Sequence, residues 1–186
     1  QYRIIRYLGE GLTAIVYEAE RLSAVYNPAY KVGCSVAVKV LMEGLPEDIQ
    51  LNFRNEADII TTLSAEETAA GITPSLIPGL VERYTESGNG PQFLAMEFVK
   101  GAALDRRIRE EGPFPEKLGL EIAGKVLTIL DLLHSKLKKT YTDFQLQNIW
   151  LLPDGHSIKI MDWNHVSDKR DPLPAALVDA DLRRMG

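Results

Sequence analysis

The chain has 186 residues, 45% hydrophobic and 25% charged, the composition of a globular protein large enough for one large domain or two small lobes. Its formal net charge of -5 argues against a surface built for a polyanion, and no apolar run approaches the about 18 residues that cross a bilayer, so neither a nucleic-acid partner nor a membrane-spanning segment is expected. The single cysteine, Cys34, cannot close an internal disulfide and reads as a small buried or half-buried hydrophobe in a reducing compartment, which makes the cytoplasm the expected location.

Residues 2–8, 15–20 and 35–42 are short runs rich in Val, Ile and Tyr, separated by Gly, Asn and Pro, and they read as antiparallel strands. From residue 46 to about 70, Ile49, Phe53, Ala57, Ile60 and Leu63 recur every three or four positions, the stripe of an amphipathic helix. Glu47 and Asp48 stand in its first turn, where the helix dipole favours acids. Residues 71–78 break the helix, and 80–84 and 93–98 read as two further strands joined by the turn-rich segment 86–91.

At Lys100-Gly101 the pattern changes to helical, so a boundary is expected between residues 1–99 and residues 100–186. Residues 104–111 form a short helix stopped by Gly112-Pro113, and 115–137 a longer one with Leu120, Ala123, Val126, Leu127, Leu130 and Leu133 on one face. Residues 141–152 and 157–161 are strand-like and flank Pro153-Asp154-Gly155, a hairpin signal. The charged segment 167–174 reads as a mobile loop. The chain opens on Gln1 and closes on Leu182-Arg183-Arg184-Met185-Gly186 in a helical pattern, and is read as an excerpt of something longer.

Several polar residues stand beside these apolar runs. Gly9-Glu10-Gly11-Leu12-Thr13-Ala14 lies between two strands, where small residues let backbone N–H groups approach phosphate oxygens; alone, such glycines are no more than a turn. In Val36-Ala37-Val38-Lys39-Val40, strand alternation puts Lys39 on the same face as Ala37. A strand lysine usually faces solvent, so a functional Lys39 needs an acidic partner, and Glu56 on the following helix is the candidate.

With Asp143-Phe144-Gln145-Leu146-Gln147-Asn148 and Ile158-Lys159-Ile160-Met161-Asp162-Trp163-Asn164, these motifs stand in the order of the eukaryotic-type protein kinase family, which the chain resembles over nearly its whole length. The resemblance implies an α+β, bilobal protein-kinase-like fold: an antiparallel sheet with one helix over residues 1–99, and a mainly helical, incomplete second lobe over 100–186. It implies ATP and Mg²⁺ as cofactors and a protein substrate or binding partner. Gly9 and Gly11 would cover the phosphates, Lys39 would hold them, and Glu56 would hold Lys39. Val16 and Ala37 would line the adenine roof, Met96 would guard the back of the pocket, and backbone groups near Glu97 and Val99 would meet the adenine edge. Trp150 would lie on the pocket floor, where the family usually has Leu. Asp143 would orient the acceptor hydroxyl, Asn148 and Asp162 would carry Mg²⁺, and Asp181 would bond the catalytic-loop backbone.

The chain departs from the family at several positions. Tyr141-Thr142 stands in place of His-Arg, which removes the basic partner of a phosphorylated activation segment. Gln145 replaces a lysine that balances charge on the transferring group, Ala14 the third loop glycine, and Asn164 the glycine after the metal acid. Trp163 reads as core packing, His134 as a helix-end residue, and 106–111 as a solvated helix face. Three readings follow: an active Ser/Thr-type protein kinase, a pseudokinase that binds nucleotide or partners, and a kinase of small-molecule hydroxyls.

Overall fold

The computed structural model describes residues 1–23, 29–84, 90–142 and 144–168. The chain divides into two compact units, residues 1–61 with 78–99 and residues 62–77 with 100–186.

In the first unit, β1 (Tyr2–Glu10), β2 (Ala14–Arg21), β3 (Ser35–Leu41), β4 (Leu80–Tyr84) and β5 (Phe93–Glu97) form one sheet in the order β1-β2-β3-β5-β4. Every neighbouring pair is antiparallel. Alternation separates the two faces. Ala14, Leu41 and Leu94 pack with Phe53 and Ala57 of α1 (Glu47–Ala69), while Ala19, Val36, Val38, Val81 and Ala95 gather on the other face with Tyr2, Tyr30, Cys34 and Phe93 against them. Phe53 is 1% exposed, and burial of such a ring contributes about 2–3 kcal/mol. The helix begins where Pro46 supplies the carbonyl for Ile49 and Gln50, and it stops at Gly71, whose φ of 70° suits a residue without Cβ.

The second unit holds the end of α1 from Thr62, then β6 (Ala102–Ala103), α2 (Leu104–Glu111) and α3 (Glu116–Asp131). Gly112, at φ 87°, ends α2, whose solvated face carries three i,i+4 ion pairs: Arg106 with Glu110, Arg107 with Glu111 and Asp105 with Arg109. The helix expected over 115–137 is shorter as an α-helix, because residues Leu132–Lys136 widen into a π turn. Its buried face also differs: Ile122, Val126, Ile129, Leu130 and Leu133 are buried, whereas Leu120 and Leu127 are exposed. The apolar face is completed by isoleucines 122 and 129, each two positions beyond the exposed Leu120 and Leu127 that the leucine pattern favours.

Beyond α3 lie β7 (Lys139–Tyr141), a one-turn 3₁₀ helix Leu146–Asn148, β8 (Ile149–Leu151), β9 (Ile158–Ile160), a second 3₁₀ turn Trp163–His165, and β10 (Val166–Asp168). The run 141–152 is therefore not one strand: β7 pairs with β10, and β8 with both β6 and β9. The β8–β9 hairpin closes at Asp154, whose carboxylate accepts from the N–H groups of His156 and Ser157 and is held at a pKa of about 2 by Ser157 first and then by those backbone groups. Segment 86–91 and the loop 167–174 fall largely, and Asp181 wholly, outside the described residues. Among the described residues no helix is long and apolar enough to cross a membrane.

Candidate functional site

In the first unit, the turn between β1 and β2 is closed by Gly11 N–H donating to the carbonyl of Ala14 at 2.9 Å, and neither Gly9 nor Gly11 has a neighbour that a small substituent would strike. Strand register sets the next residues. Val16 stands opposite Lys39, and Ala37 opposite Met96, so period-two alternation puts all four on the α1-facing side of the sheet. One helical turn beyond Phe53, Glu56 meets Lys39: Nζ lies 2.7 Å from Oε2, with Lys39 8% and Glu56 1% exposed. A charge buried to this degree is retained at a cost unless it is paired and hydrogen-bonded, and the pair satisfies that requirement.

At the end of β5, Met96 and Val99 are buried. Glu97 is fixed from two sides, since its N–H donates to the carbonyl of Gly79 at 2.8 Å and its carboxylate accepts from Gly79 N–H at 3.1 Å. Tyr30 lies over Gly79, where an added Cβ would fall 1.9 Å from the phenol oxygen. Burial, and after it the Glu97 charge, pushes the Tyr30 phenol up to about 12.

In the second unit the acid-and-amide segments are joined by hydrogen bonds. Asn148 sits at the end of its 3₁₀ turn, 8% exposed, and its carbonyl accepts from Met161 N–H at 2.7 Å. Asp162 has φ 62° and ψ 70°, a left-handed conformation that costs a non-glycine residue roughly 1–2 kcal/mol, although Asp tolerates it better than most. Tyr141, fully buried, donates its hydroxyl to the carbonyls of Met161 at 3.0 Å and Asp162 at 2.9 Å, and accepts from Asn148 Nδ2 at 3.1 Å. Its ring stacks on Trp163 at 5.1 Å and meets Phe144 edge-on. Trp163 is 1% exposed and donates Nε1–H to the carbonyl of Ile160, as expected of a core residue.

Thr142 donates both its N–H and its hydroxyl to the carbonyl of His165, at 3.1 and 2.8 Å. Trp150, on β8, is half-buried and stands between Ala103 and Lys159 in register. Asp143 lies outside the described residues.

The sequence reading missed two groups. The Tyr141 hydroxyl reads in the sequence only as a departure from His, although an aromatic two residues before the acid, with Phe144 and Trp163 in the same motifs, is the available signal. The other is a buried polar cluster. The Glu67 carboxylate accepts from Leu76 N–H and Ser75 Oγ–H, both at 2.6 Å, and Lys159 Nζ donates to the carbonyl of Ile77 at 2.8 Å. No periodicity reveals an acid at position 67 of a helix and a lysine on β9 as neighbours.

Hard oxygen donors are what Mg²⁺ requires. It takes one or two from the protein and completes its octahedron with phosphate and water, so the amide oxygen of Asn148 and the carboxylate of Asp162 fit it chemically. Among the described residues no three His, Cys, Asp or Glu side chains converge as a soft-metal cage would need.

A family model of the protein kinase domain matches residues 2–174. A probable serine/threonine-protein kinase of Bifidobacterium longum is 32% identical over 171 residues, covering 88% of this chain and 19% of that protein. One of Clostridium perfringens is 26% identical over 164 residues, covering 88% and 21%. The chain thus spans about a fifth of the length of these curated relatives. The crystal structure of Rad53 1–466 in complex with AMP-PNP matches with a TM-score of 0.68 at 22% identity, over 88% of this chain and 39% of that one, a likeness of fold.

Proposed function

This chain belongs to the protein kinase domain family, and from that premise we propose that it binds ATP with Mg²⁺ and transfers the γ-phosphoryl group to a Ser or Thr hydroxyl of a protein. The observation that carries the reading is the buried Lys39–Glu56 pair at 2.7 Å, a charge arrangement with no advantage for stability over apolar packing but with a direct use in holding phosphate oxygens. In this reading Glu56 fixes the Lys39 ammonium so that it meets the α- and β-phosphates without reorganising. Gly9 and Gly11 let the β1–β2 turn close over the phosphates, while Val16, Ala37 and Met96 meet the base, whose edge bonds the backbone near Glu97 and Val99; Trp150 is proposed to contact the base as well. Asn148 and Asp162 hold the metal by oxygen. Bound Mg²⁺ supplies neutralisation of charge on the phosphate oxygens. Asp143 orients the acceptor hydroxyl and receives its proton. A cytoplasmic location is part of this reading, since ATP and Mg²⁺ are abundant there.

A second reading, a nucleotide-binding pseudokinase, is favoured by Gln145, which is exposed and neutral where the resemblance has a lysine. An amide can bond the transferring group but cannot neutralise it. The test has two parts. A thermal-shift titration with Mg-ATP is expected to raise the melting temperature, and no shift refutes nucleotide binding. Transfer of labelled phosphate from ATP to a generic protein substrate, abolished by Asp162→Ala, is expected of the kinase; binding without transfer across many substrates selects the pseudokinase.

A further inference from the structure

A tyrosine hydroxyl carries one proton. Among the described residues the Tyr141 hydroxyl bonds the carbonyls of Met161 and Asp162, which can only accept, and the side-chain amide of Asn148. Its proton is therefore committed to that pair, and the third neighbour must be a donor. This fixes the side-chain amide of Asn148 in one of its two orientations, with Nδ2 toward the hydroxyl at 3.1 Å and Oδ1 at the opposite end of the amide. The same hydroxyl binds two consecutive carbonyls, which in an extended strand would point to opposite sides; the left-handed backbone of Asp162 brings them together. One atom thus bonds both the amide of Asn148 and the backbone from which the Asp162 carboxylate springs. Stacking on Trp163 and edge contact with Phe144 hold the ring while the hydroxyl does this.

We infer that Tyr141 is the positioning residue of the metal site: its hydroxyl orients Asn148 so that oxygen rather than nitrogen is presented to a divalent cation, and holds Asp162 in register with it. The inference rests on the reading of Asn148 and Asp162 as Mg²⁺ ligands. It is distinct from core packing, because the ring would pack equally well as phenylalanine, whereas the hydroxyl distinguishes the two ends of the amide. Outer partners that orient ligands typically change metal affinity about 10- to 100-fold when removed.

The experiment compares the full chain with Tyr141→Phe, titrating Mg²⁺ into a fixed concentration of ADP and reading binding calorimetrically, with a parallel titration in EDTA. The expected result is unchanged ADP binding in EDTA and a half-saturating Mg²⁺ concentration raised about tenfold or more. Adding Asn148→Asp to Tyr141→Phe is expected to return the Mg²⁺ titration toward wild type, since a carboxylate has no wrong end. Should Tyr141→Phe fail to fold, Tyr141→His, which keeps one N–H donor and an acceptor, carries the same titration with a smaller expected shift. An Mg²⁺ titration of the folded variant that overlays wild type overturns the inference alone. A wild-type chain that binds no ADP under either condition overturns the nucleotide-binding reading and this inference with it.

Discussion

The Lys39–Glu56 pair gives the sharpest test of whether these residues are kept for function. At a separation of 2.7 Å two unit charges attract by about 6 kcal/mol at an effective dielectric of ~20, and removing both ions from water cancels much of that. Truncation of one partner leaves the other buried and uncompensated: Glu56→Leu strands a lysine that is 8% exposed, and Lys39→Met strands a carboxylate that is 1% exposed. Each single change is expected to cost about 3–5 kcal/mol. The double change Lys39→Met with Glu56→Leu places apolar groups beside Phe53, Ala57 and Leu94, the side chains already packed on that face, and is expected to lie within about 1 kcal/mol of wild type or above it. Urea unfolding followed by circular dichroism supplies the three differences, and Mg-ATP thermal shift the function, expected to vanish in the double variant. A double variant as unstable as the sum of the singles would refute the reasoning, since two residues coupled at this distance cannot behave additively.

Two further outcomes follow from local geometry. Gly79→Ala would place a methyl 1.9 Å from the phenol oxygen of Tyr30 and 3.1 Å from its Cζ, an overpacking expected to cost about 1–3 kcal/mol. Adding Tyr30→Phe removes the nearest atom and should recover most of the loss in a thermal melt, whereas no recovery would mean that Glu97 and its two bonds to Gly79, not the phenol, limit the position. Glu67 has its pKa raised from 4.5, mainly by burial, against the opposing effects of Ser75, the Leu76 N–H and Lys159. A raised folded-state pKa gives stability that is fully present below about 4.5 and lost as pH rises through the folded value. The stability of wild type relative to Glu67→Gln, measured by denaturant titration from acid to neutral pH, is therefore expected to fall with pH; a rise would show that the Lys159 ammonium outweighs burial.

The strands and α1 were legible because each carries a short-range pattern that burial enforces. Alternation through Val36, Ala37, Val38 and Lys39 fixed which face the lysine shares, and the three-to-four spacing of Phe53 and Ala57 put Glu56 on the side of α1 that meets it. The segment around Asn148 was not legible in this way. Ile149 and Leu151 are strand residues, and their pattern ran backward through Leu146 and Phe144, although the backbone there turns through a 3₁₀ helix. Its bonds are held by tertiary partners, Met161 N–H and the Tyr141 hydroxyl, which no local spacing encodes. The stripe on α3 was misplaced for a related reason: Leu120 and Ile122 are equally apolar, and only what packs against them decides which is buried.

The altered positions share a physical character. Where the resemblance has a basic residue before the acid, Thr142 gives two neutral hydrogen bonds to the carbonyl of His165, and β7 pairs with β10 just beyond it. Where it has a histidine, Tyr141 supplies a hydroxyl that ties Asn148 to Asp162. Neutral donors of this kind hold backbone geometry, yet offer a phosphate no charge to pair with. The ionic residues that would meet nucleotide remain, with Lys39 bonded to Glu56. In residues 163–168 the bonds to β7 and Thr142 are therefore made among uncharged groups, and the hydroxyl that holds Asp162 in its left-handed backbone is itself neutral.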